Sequence, residues 1–424
     1  MKLRRLAYLI AVFVVATLIG NLLQAGGDSR KYSQNYPELI CPNIGGAQAQ
    51  VSLTTSKRLV RFLPSKNYKF FPSKTTRILT KQSSVIVDGE GTSSMAWISK
   101  SGVWAGGVNC LSAQAEQFFV GGAADVTSKS KLVVINGGLS SSIVDVITYT
   151  EGSSLKKTIT VGKNQSATLT LVSLAPGAKA VGMQVIPRTG RVAAYLVDER
   201  GKGLQSLGGD VINSQSALSK VLLIPGIAHT KTNKSHLLRI LNPGIASTVV
   251  TVEVLSRDGR YIPVGLDGKK VSAGKVADIV FDFDSKQSSF GLRITSDQPI
   301  AASAYSRIGK DFVWSSAVAP NATGTWAITG LDPTMQFIGD EIKVKLTALL
   351  PGKKKVSATV TGTDYVAYKV PKNSIGIRID EISRGTAASL LVTSQSGIGY
   401  MPLINGSTLT RSTVPTANIG VLNP

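Results

Sequence analysis

The sequence predicts an all-β protein built of tandem immunoglobulin-like β-sandwich modules behind a single N-terminal transmembrane helix. Short alternating apolar and polar runs are separated by Gly, Pro or Asp-Gly turns, which is typical of antiparallel strands. One hairpin pattern, clearest at residues 292–305, returns after about 100 residues, a length that suits a seven- or eight-stranded sandwich. Beyond the N-terminal segment, no stretch has a clean helical period. A β-propeller is the alternative, although its blades would be shorter, at about 45 residues.

The first element is the N-terminal segment, residues 1–27. Three basic residues within the first five positions precede an almost unbroken apolar run, residues 6–23. As a helix this run spans about 27 Å, near the thickness of a bilayer core. The basic flank should stay in the cytoplasm, so a single-pass protein with the bulk of its chain outside is expected. The alternative is a cleaved signal peptide in which Ala25 and Gly27 are the pair of small residues before the cut, which would make the protein secreted. Residues 28–37 form a polar tether.

Four β-modules are expected after the tether, at residues 38–112, 115–212, 214–320 and 325–407, with a C-terminal tail at residues 408–424. In modules two and three an apolar strand ends at an Asn in a turn, Asn136-Gly137 and Asn242-Pro243. Asn and Gly accept left-handed backbone angles at such a turn, and Pro fixes φ. Module four has Pro351-Gly352 at the corresponding place.

The chain has two cysteines, Cys41 and Cys110, and they bracket module one. Both lie beyond the predicted membrane segment, where thiols tend to oxidise. We therefore predict a Cys41–Cys110 disulfide, which should stabilise the fold by about 3–5 kcal/mol in the chain-entropy model. Two buried free thiols are the alternative.

Residue patterns that carry catalysis are scarce. His229 and His236 are seven positions apart, a spacing that matches no common zinc motif, so a surface or capping role is expected. Asp282 and Asp284 alternate with phenylalanines and share a strand face; they could bind calcium or act as acid and base, but solvent-facing positions are expected. No Gly-x-Ser-x-Gly motif and no Cys–His nucleophile pair is found. We predict no catalytic, cofactor-binding or metal-binding residues.

A basic segment, residues 57–81, is the strongest candidate for a binding surface. The chain carries a formal charge of +22, and an excess of this kind favours contact with anionic polymers or membranes. Within the segment, four aromatic residues alternate with eight basic residues and no acid: Lys57, Arg58, Arg61, Lys66, Lys69, Lys74, Arg77 and Lys81. Basic groups with aromatic residues suit nucleic acid, anionic glycopolymers or lipid headgroups, and export argues against nucleic acid. The alternative is a solvated sheet face with the aromatic residues in the core.

Several signals occur in a recognisable order, namely Cys41-Pro42, Ile224-Pro225-Gly226, Asn242-Pro243 and the strand at residues 326–330. In this order the chain resembles, over about residues 38–404, a family of uncharacterised secreted or membrane-anchored actinobacterial proteins with repeated β-modules. That family has no established activity, so the resemblance implies no functional residues. Because its members often occur beside large membrane glycosyltransferases, it implies a role in the cell envelope.

Taken together, these observations predict a non-enzymatic, membrane-tethered, extracytoplasmic envelope protein. Its modules would bind a partner protein, an anionic cell-wall polymer or lipid headgroups, without a cofactor and without nucleic acid. A carbohydrate-active enzyme or carbohydrate-binding protein on a β-scaffold is the second hypothesis. A passive structural spacer is the third.

Overall fold

The computed structural model describes residues 36–405 except 67, 90 and 101, together with the single residue 15. Within 36–405 the elements are strands, apart from two 3-10 turns at Leu171–Ser173 and Pro351–Lys353. The prediction of an all-β protein is therefore confirmed. The predicted N-terminal helix, most of the tether and the C-terminal tail lie outside the described residues. The described part of the chain contains no helix that is long and apolar enough to span a bilayer.

The first unit, blade 1, consists of two four-stranded sheets with the orders β1-β6-β3-β4 and β5-β2-β8-β9. The strands of these sheets are β1 (Tyr36–Cys41), β2 (Gln48–Ser52), β3 (Leu59–Leu63), β4 (Phe71–Pro72), β5 (Arg77–Thr80), β6 (Ser84–Gly89), β8 (Met95–Lys100) and β9 (Trp104–Asn109). The two-residue strand β7 (Thr92–Ser93) belongs to neither sheet. Because β4 and β5 end their sheets, each has one edge without a partner strand from its own sheet.

Blade 2 repeats this connection order, with sheets β10-β15-β12-β13 and β14-β11-β16-β17. Its strands are β10 (Gln117–Val120), β11 (Lys131–Asn136), β12 (Ser142–Tyr149), β13 (Ser154–Val161), β14 (Gln165–Thr170), β15 (Gly182–Thr189), β16 (Ala193–Lys202) and β17 (Gln205–Ile212).

Blade 3 has the same order, but one 20-residue strand, β24, serves both of its sheets. Its strands are β18 (Ser219–Ala228), β19 (Ser235–Asn242), β20 (Thr248–Ser256), β21 (Gly259–Tyr261), β22 (Lys269–Val271), β23 (Lys275–Asp282), β24 (Ser289–Ile308) and β25 (Asp311–Ser316). In β20 the side chains of Val250, Val252 and Val254 are buried, while Val249 faces solvent, as period-2 alternation requires.

Blade 4 shares two long strands between its sheets, because β27 pairs with β28 along nearly its whole length. Its strands are β26 (Gly324–Ala327), β27 (Pro333–Leu349), β28 (Lys355–Lys369), β29 (Gly376–Ile382), β30 (Ala387–Ser394) and β31 (Gly397–Pro402). The pairing orders are β26-β29-β27 and β27-β30-β31.

The four blades are arranged like those of a four-bladed propeller. The last strands of the blades, β9, β17, β25 and β31, pack in a closed cycle around the centre. The structure thus supports the propeller alternative and does not support immunoglobulin-like sandwiches. An immunoglobulin sheet places its first strand beside its second, whereas here the first strand of each blade pairs with a late one, β1 with β6 and β10 with β15. Each blade holds two sheets rather than one. A blade here is therefore about twice as long as the roughly 45 residues expected of a propeller blade, which is why the repeat length favoured sandwiches.

Glycines let the central strands approach one another closely. A Cβ on Gly209 of β17 would lie 2.9 Å from Cγ of Trp104 on β9. A Cβ on Gly106 would lie 2.4 Å from Oδ1 of Asp210. Larger residues at these two positions would therefore collide with the neighbouring blade.

Buried polar side chains join the blades at the centre. The carboxylate of Asp311 accepts hydrogen bonds from the backbone N–H groups of Gly209 (3.0 Å) and Ala105 (3.4 Å), which belong to two other blades. The Asn213 amide donates to the carbonyl oxygens of Gly107 (3.0 Å) and Tyr400 (2.9 Å). Four blades are thus connected by two side chains.

The ring closes between blades 1 and 4. Strand β7 pairs in parallel with β26. Nearby, the Ser52 hydroxyl donates to the carbonyl of Thr329 (2.9 Å), and the Thr329 hydroxyl donates to the carbonyl of Leu53 (2.8 Å). We call this region the closing seam.

Candidate ligand-binding surface

Two of the eight predicted polyanion-binding residues lie inside the fold. Arg58 is 2% exposed, and its Nε donates to the carbonyl of Asp88 at 2.8 Å. Arg61 is 3% exposed and donates to Oδ1 of Asn164 in blade 2 (2.6 Å) and to Glu38 (3.1 Å). Its guanidinium also lies over the Tyr68 and Phe70 rings, at 5.6 and 5.4 Å. Both arginines are therefore committed to structural contacts.

The other six predicted residues lie on the surface of blade 1, and we call them the basic edge: Lys57, Lys66, Lys69, Lys74, Arg77 and Lys81. Apart from Lys69, none of the six has an ion-pair partner among the described residues. Arg77 begins β5 and Lys81 follows it, at the outer edge of a sheet. Phe71 of β4 is 44% exposed and lies 5.7 Å, between ring centroids, from Phe62. The basic edge thus combines five cations that have no ion-pair partner among the described residues with the neighbouring exposed ring of Phe71.

Two cavities touch the ends of the predicted segment. One, of about 500 Å³, lies between blades 1 and 2 and is lined by Arg61, Tyr68, Asn136 and Arg191 among others. The other, of about 390 Å³, lies at the closing seam and is lined by Gln48, Gln50, Arg77, Trp97, Ser99 and Thr393 among others. Residues from distant parts of the chain meet in the second cavity. Sequence inspection found only Arg77 there, because nothing local indicates that the first blade meets the fourth.

The two histidines are buried, so the surface role, one of the two roles expected for them, is wrong. His229 follows β18 and is 3% exposed, and His236 lies on β19 and is 2% exposed. His229 Nδ1 lies 3.1 Å from His236 Nε2, and His229 Nε2 lies 3.1 Å from the carbonyl of Ser285. His236 Nδ1 lies 2.9 Å from the Ser306 hydroxyl. Phenylalanine rings of β23 and β24 surround the pair, including Phe281 and Phe290.

These contacts define one proton arrangement for the pair. A carbonyl can only accept, so His229 Nε2 carries a proton and His229 Nδ1 is an acceptor. His236 Nε2 must then donate to His229 Nδ1, which leaves His236 Nδ1 to accept from Ser306. Burial lowers the pKa of both rings, that of His236 to about 3. When both imidazoles are neutral, each of the four ring nitrogens has a hydrogen-bond partner.

The acids divide into an exposed group and a buried group. Asp282 and Asp284 face solvent as predicted, and Asp284 forms an ion pair with Lys234 at 2.6 Å. Sequence reasoning missed Asp210 and Asp311 at the centre of the ring; burial raises the pKa of both carboxyl groups, that of Asp311 to about 6. Both accept backbone hydrogen bonds, so their role is structural. Over the described ranges, no three His, Cys, Asp or Glu side chains form a metal-binding group.

The predicted disulfide is confirmed. Cys41 at the end of β1 is bonded to Cys110 just after β9, and both residues are buried. The backbones of the neighbouring residues Ile40 and Leu111 exchange two hydrogen bonds (2.8 and 3.0 Å). Disulfides persist in oxidising compartments, so this bond indicates an extracytoplasmic location.

A family of unknown function, DUF5719, matches residues 73–364, from the basic edge of blade 1 into β28 of blade 4. The chain belongs to this family. The predicted relationship to an uncharacterised family is therefore correct, while the repeat grammar and bacterial group assigned to it stay predictions. No curated protein matches the chain.

Two solved structures have weak similarity to the chain. The match to the crystal structure of Thermotoga maritima 1070 covers 25% of this chain and 98% of that chain, at 15% sequence identity and a TM-score of 0.23. A tetra-tandem repeat from the extending region of a large adhesion protein covers 88% of this chain and 96% of its own, at 11% identity and a TM-score of 0.13.

Proposed function

We propose that the protein is a non-enzymatic, membrane-tethered, extracytoplasmic envelope protein that binds an anionic polymer along the basic edge. The observation that carries the proposal is the set of exposed cations on blade 1 that have no acidic partner among the described residues. At an anionic surface each nearby Lys or Arg contributes about 1 kcal/mol, and the attraction fades beyond about 8 Å at physiological salt. Several cations on the surface of one blade can therefore hold a polymer that a single cation could not.

A binding role fits the acids better than catalysis does. Asp210 and Asp311 are engaged by backbone N–H groups at the ring centre, away from the basic edge. Asp284 is neutralised by Lys234 on the surface. The proposed attachment to the membrane rests on the apolar run at residues 6–23. N-terminal sequencing of the mature protein tests it, because a start at Asp28 would show a cleaved signal peptide.

The binding test uses the full-length protein in neutral detergent with an immobilised wall-phosphate polymer. We expect affinity to fall steeply as salt rises, since the contacts are between exposed charges. Changing four cations of the basic edge to Gln should weaken binding at least about tenfold: Lys57, Lys66, Lys74 and Lys81. A matched control removes four exposed lysines from blades 3 and 4, also to Gln: Lys269, Lys270, Lys353 and Lys354. The control should stay within about twofold of the parent.

Three results would contradict the proposal. Equal losses in the two quadruple variants would show that the net charge acts diffusely. Preference for anionic liposomes over the wall polymer would make the basic edge a membrane contact instead. No binding to either at low salt would favour the passive spacer.

A further inference from the structure

The cavity at the closing seam is lined by residues of the first and the last blade of the ring. On one side it is bounded by β2, β5 and β8 of blade 1, and on the other by the turn between β30 and β31 and by residues 330–332 of blade 4. Its volume of about 390 Å³ is at the small end of the range for ligand sites, about 300–1,000 Å³. A ligand of one or two sugar units suits this size better than a long chain segment does.

The lining combines amide and hydroxyl side chains with apolar ones and with two charged residues, Arg77 and Asp332. Gln48, Gln50 and Ser99 come from blade 1, and Thr393 and Ser394 come from blade 4. Amide and hydroxyl groups both donate and accept hydrogen bonds, which is the requirement for recognising sugar hydroxyls. Trp97 contributes an aromatic surface at the same site.

One amide in the cavity is already oriented. Gln50 is 6% exposed, and its Nε2 donates to the carbonyl of Thr329 at 3.2 Å. This bond directs the side-chain amide group and leaves Oε1 as an acceptor. A preoriented acceptor costs less conformational entropy on binding than a freely rotating one.

Arg77 supplies a cation at the cavity. It is exposed and has no ion-pair partner in the described parts of the chain. Its stem passes close to Gly330, where a Cβ would lie 3.1 Å from Arg77 Cδ and 2.8 Å from Gln50 Nε2. Gly330 also has a φ of +78°, so a glycine is required there on both grounds.

The acid at this cavity does not neutralise the arginine. Asp332 is bonded to Lys369 at 3.0 Å. A guanidinium pairs with a carboxylate or a phosphate through two parallel hydrogen bonds, so Arg77 favours an anionic ligand over a neutral one.

From these contacts we infer that the closing-seam cavity seats one anionic sugar unit, with Arg77 pairing its carboxylate or phosphate and the glutamines binding its hydroxyl groups. The inference rests on the proposed function and names the chemistry of the polymer recognised there. The basic edge then supplies general attraction, and the cavity supplies selectivity for a charged sugar.

The test is calorimetric titration of the full-length protein with three short probes. Trigalacturonate and a phosphodiester-linked glucose trimer present the two anionic groups on sugars, and the methyl ester of trigalacturonate presents the same sugar without charge. We expect one of the anionic probes to bind, and the neutral ester to bind at least about tenfold more weakly than trigalacturonate if the carboxylate is the group recognised. Which trimer binds identifies the anionic group.

Three single variants separate the cavity from the surrounding charge. Arg77→Gln should weaken binding of the preferred trimer at least about tenfold, whereas Lys81→Gln removes the same charge from the other end of β5 and should change it less than about twofold. Gln48→Ala should weaken binding without altering charge or salt dependence. If Arg77→Gln lowers the melting temperature, Arg77→Lys replaces it, since that variant keeps the charge and removes the two-pronged donor.

Two patterns of results would overturn the inference. If Arg77→Gln and Lys81→Gln weaken binding equally and Gln48→Ala has no effect, the cavity is not a subsite, although polymer binding by the basic edge would survive. If none of the trimers binds while the wall polymer does, the same conclusion follows. Failure of the wall polymer to bind the parent protein would instead defeat the proposed function.

Discussion

Acid should destabilise the protein through the buried histidine pair. Both imidazoles are neutral in the folded state and use every ring nitrogen, so protonation breaks the hydrogen bond between His229 and His236. The perturbation is a change from pH 7.5 to pH 4.5, applied to the parent and to His236→Gln. Gln keeps a donor for His229 Nδ1 but cannot be protonated in this range.

The sign and size follow from the pKa values. The pKa of His236 is lowered to about 3 in the folded state, while an unfolded histidine has a pKa of about 6.5. The folded state therefore binds fewer protons, and the stability contribution is complete above about pH 6.5 and is lost as pH falls toward 3. At pH 4.5, two units below the unfolded pKa of about 6.5, the free energy of unfolding is therefore lower by about 2–3 kcal/mol. His229 adds in the same direction, because its pKa is also lowered.

Other groups oppose this change, so the parent alone is not informative. The pKa of Asp311 is raised to about 6, which means that the folded state holds its proton and gains stability as pH falls from about 6 to 3.8. Asp210 acts in the same direction. These contributions are common to the parent and the variant. The measured quantity is therefore the difference in unfolding free energy between the two, which should change by about 2–3 kcal/mol between pH 7.5 and pH 4.5.

Two measurements check this reasoning. Urea denaturation followed by circular dichroism gives the free-energy difference at each pH. Because the chain has only two histidines, proton NMR of protein with a histidine-free tag follows each ring separately. A folded-state ring resonance that titrates near pH 6.5 would refute the argument, as would a difference between parent and variant that does not change with pH.

Two further predictions concern the ring and its disulfide. Cys41→Ser should cost about 3–5 kcal/mol of stability, read as a lower urea midpoint, and non-reducing peptide mapping of the parent should join the Cys41 and Cys110 peptides; alkylation of both cysteines without reductant would contradict the bond. Gly209→Ala should cost about 1–3 kcal/mol, because the added Cβ meets the Trp104 ring at 2.9 Å, whereas Gly45→Ala, with open space around its Cβ position, should melt like the parent; equal melting temperatures would show that the central strands are not tightly packed.

Local patterns in the sequence predicted the strands but not their arrangement. Alternation is local, so β20 with its inward Val250 and Val252 can be read from a few neighbouring residues. The ring depends on contacts between distant segments, such as Asn213 with Gly107 and Tyr400, and Ser52 with Thr329. No period or turn motif near those residues indicates the partner. The repeat length indicated units of about 100 residues, but it did not reveal that the four units close into a ring.

The candidate surface was also predicted from local sequence alone. Contacts with distant residues, which local sequence does not indicate, decide which of its members are exposed. The density of basic residues located the segment at 57–81, and six of its eight basic residues are exposed in the structure. Arg58 and Arg61 are buried because the carbonyl of Asp88 and the side chain of Asn164 receive their guanidinium groups, and neither partner is close in sequence. A surface or capping role was expected for His236 because its spacing from His229 matches no zinc motif. Its burial comes from Phe281 and Phe290 on other strands.

The position of the disulfide also determines how the molecule would carry a mechanical load. Tension that enters the chain before Cys41 passes directly through the sulfur atoms to Cys110, 69 positions later. When the chain is pulled between residues before Cys41 and residues after Cys110, the segment between the two cysteines lies outside the force path. Its contour length of roughly 230 Å cannot be pulled out while the bond is intact. A molecule pulled in this way would therefore keep this segment, including the basic edge, from being drawn out.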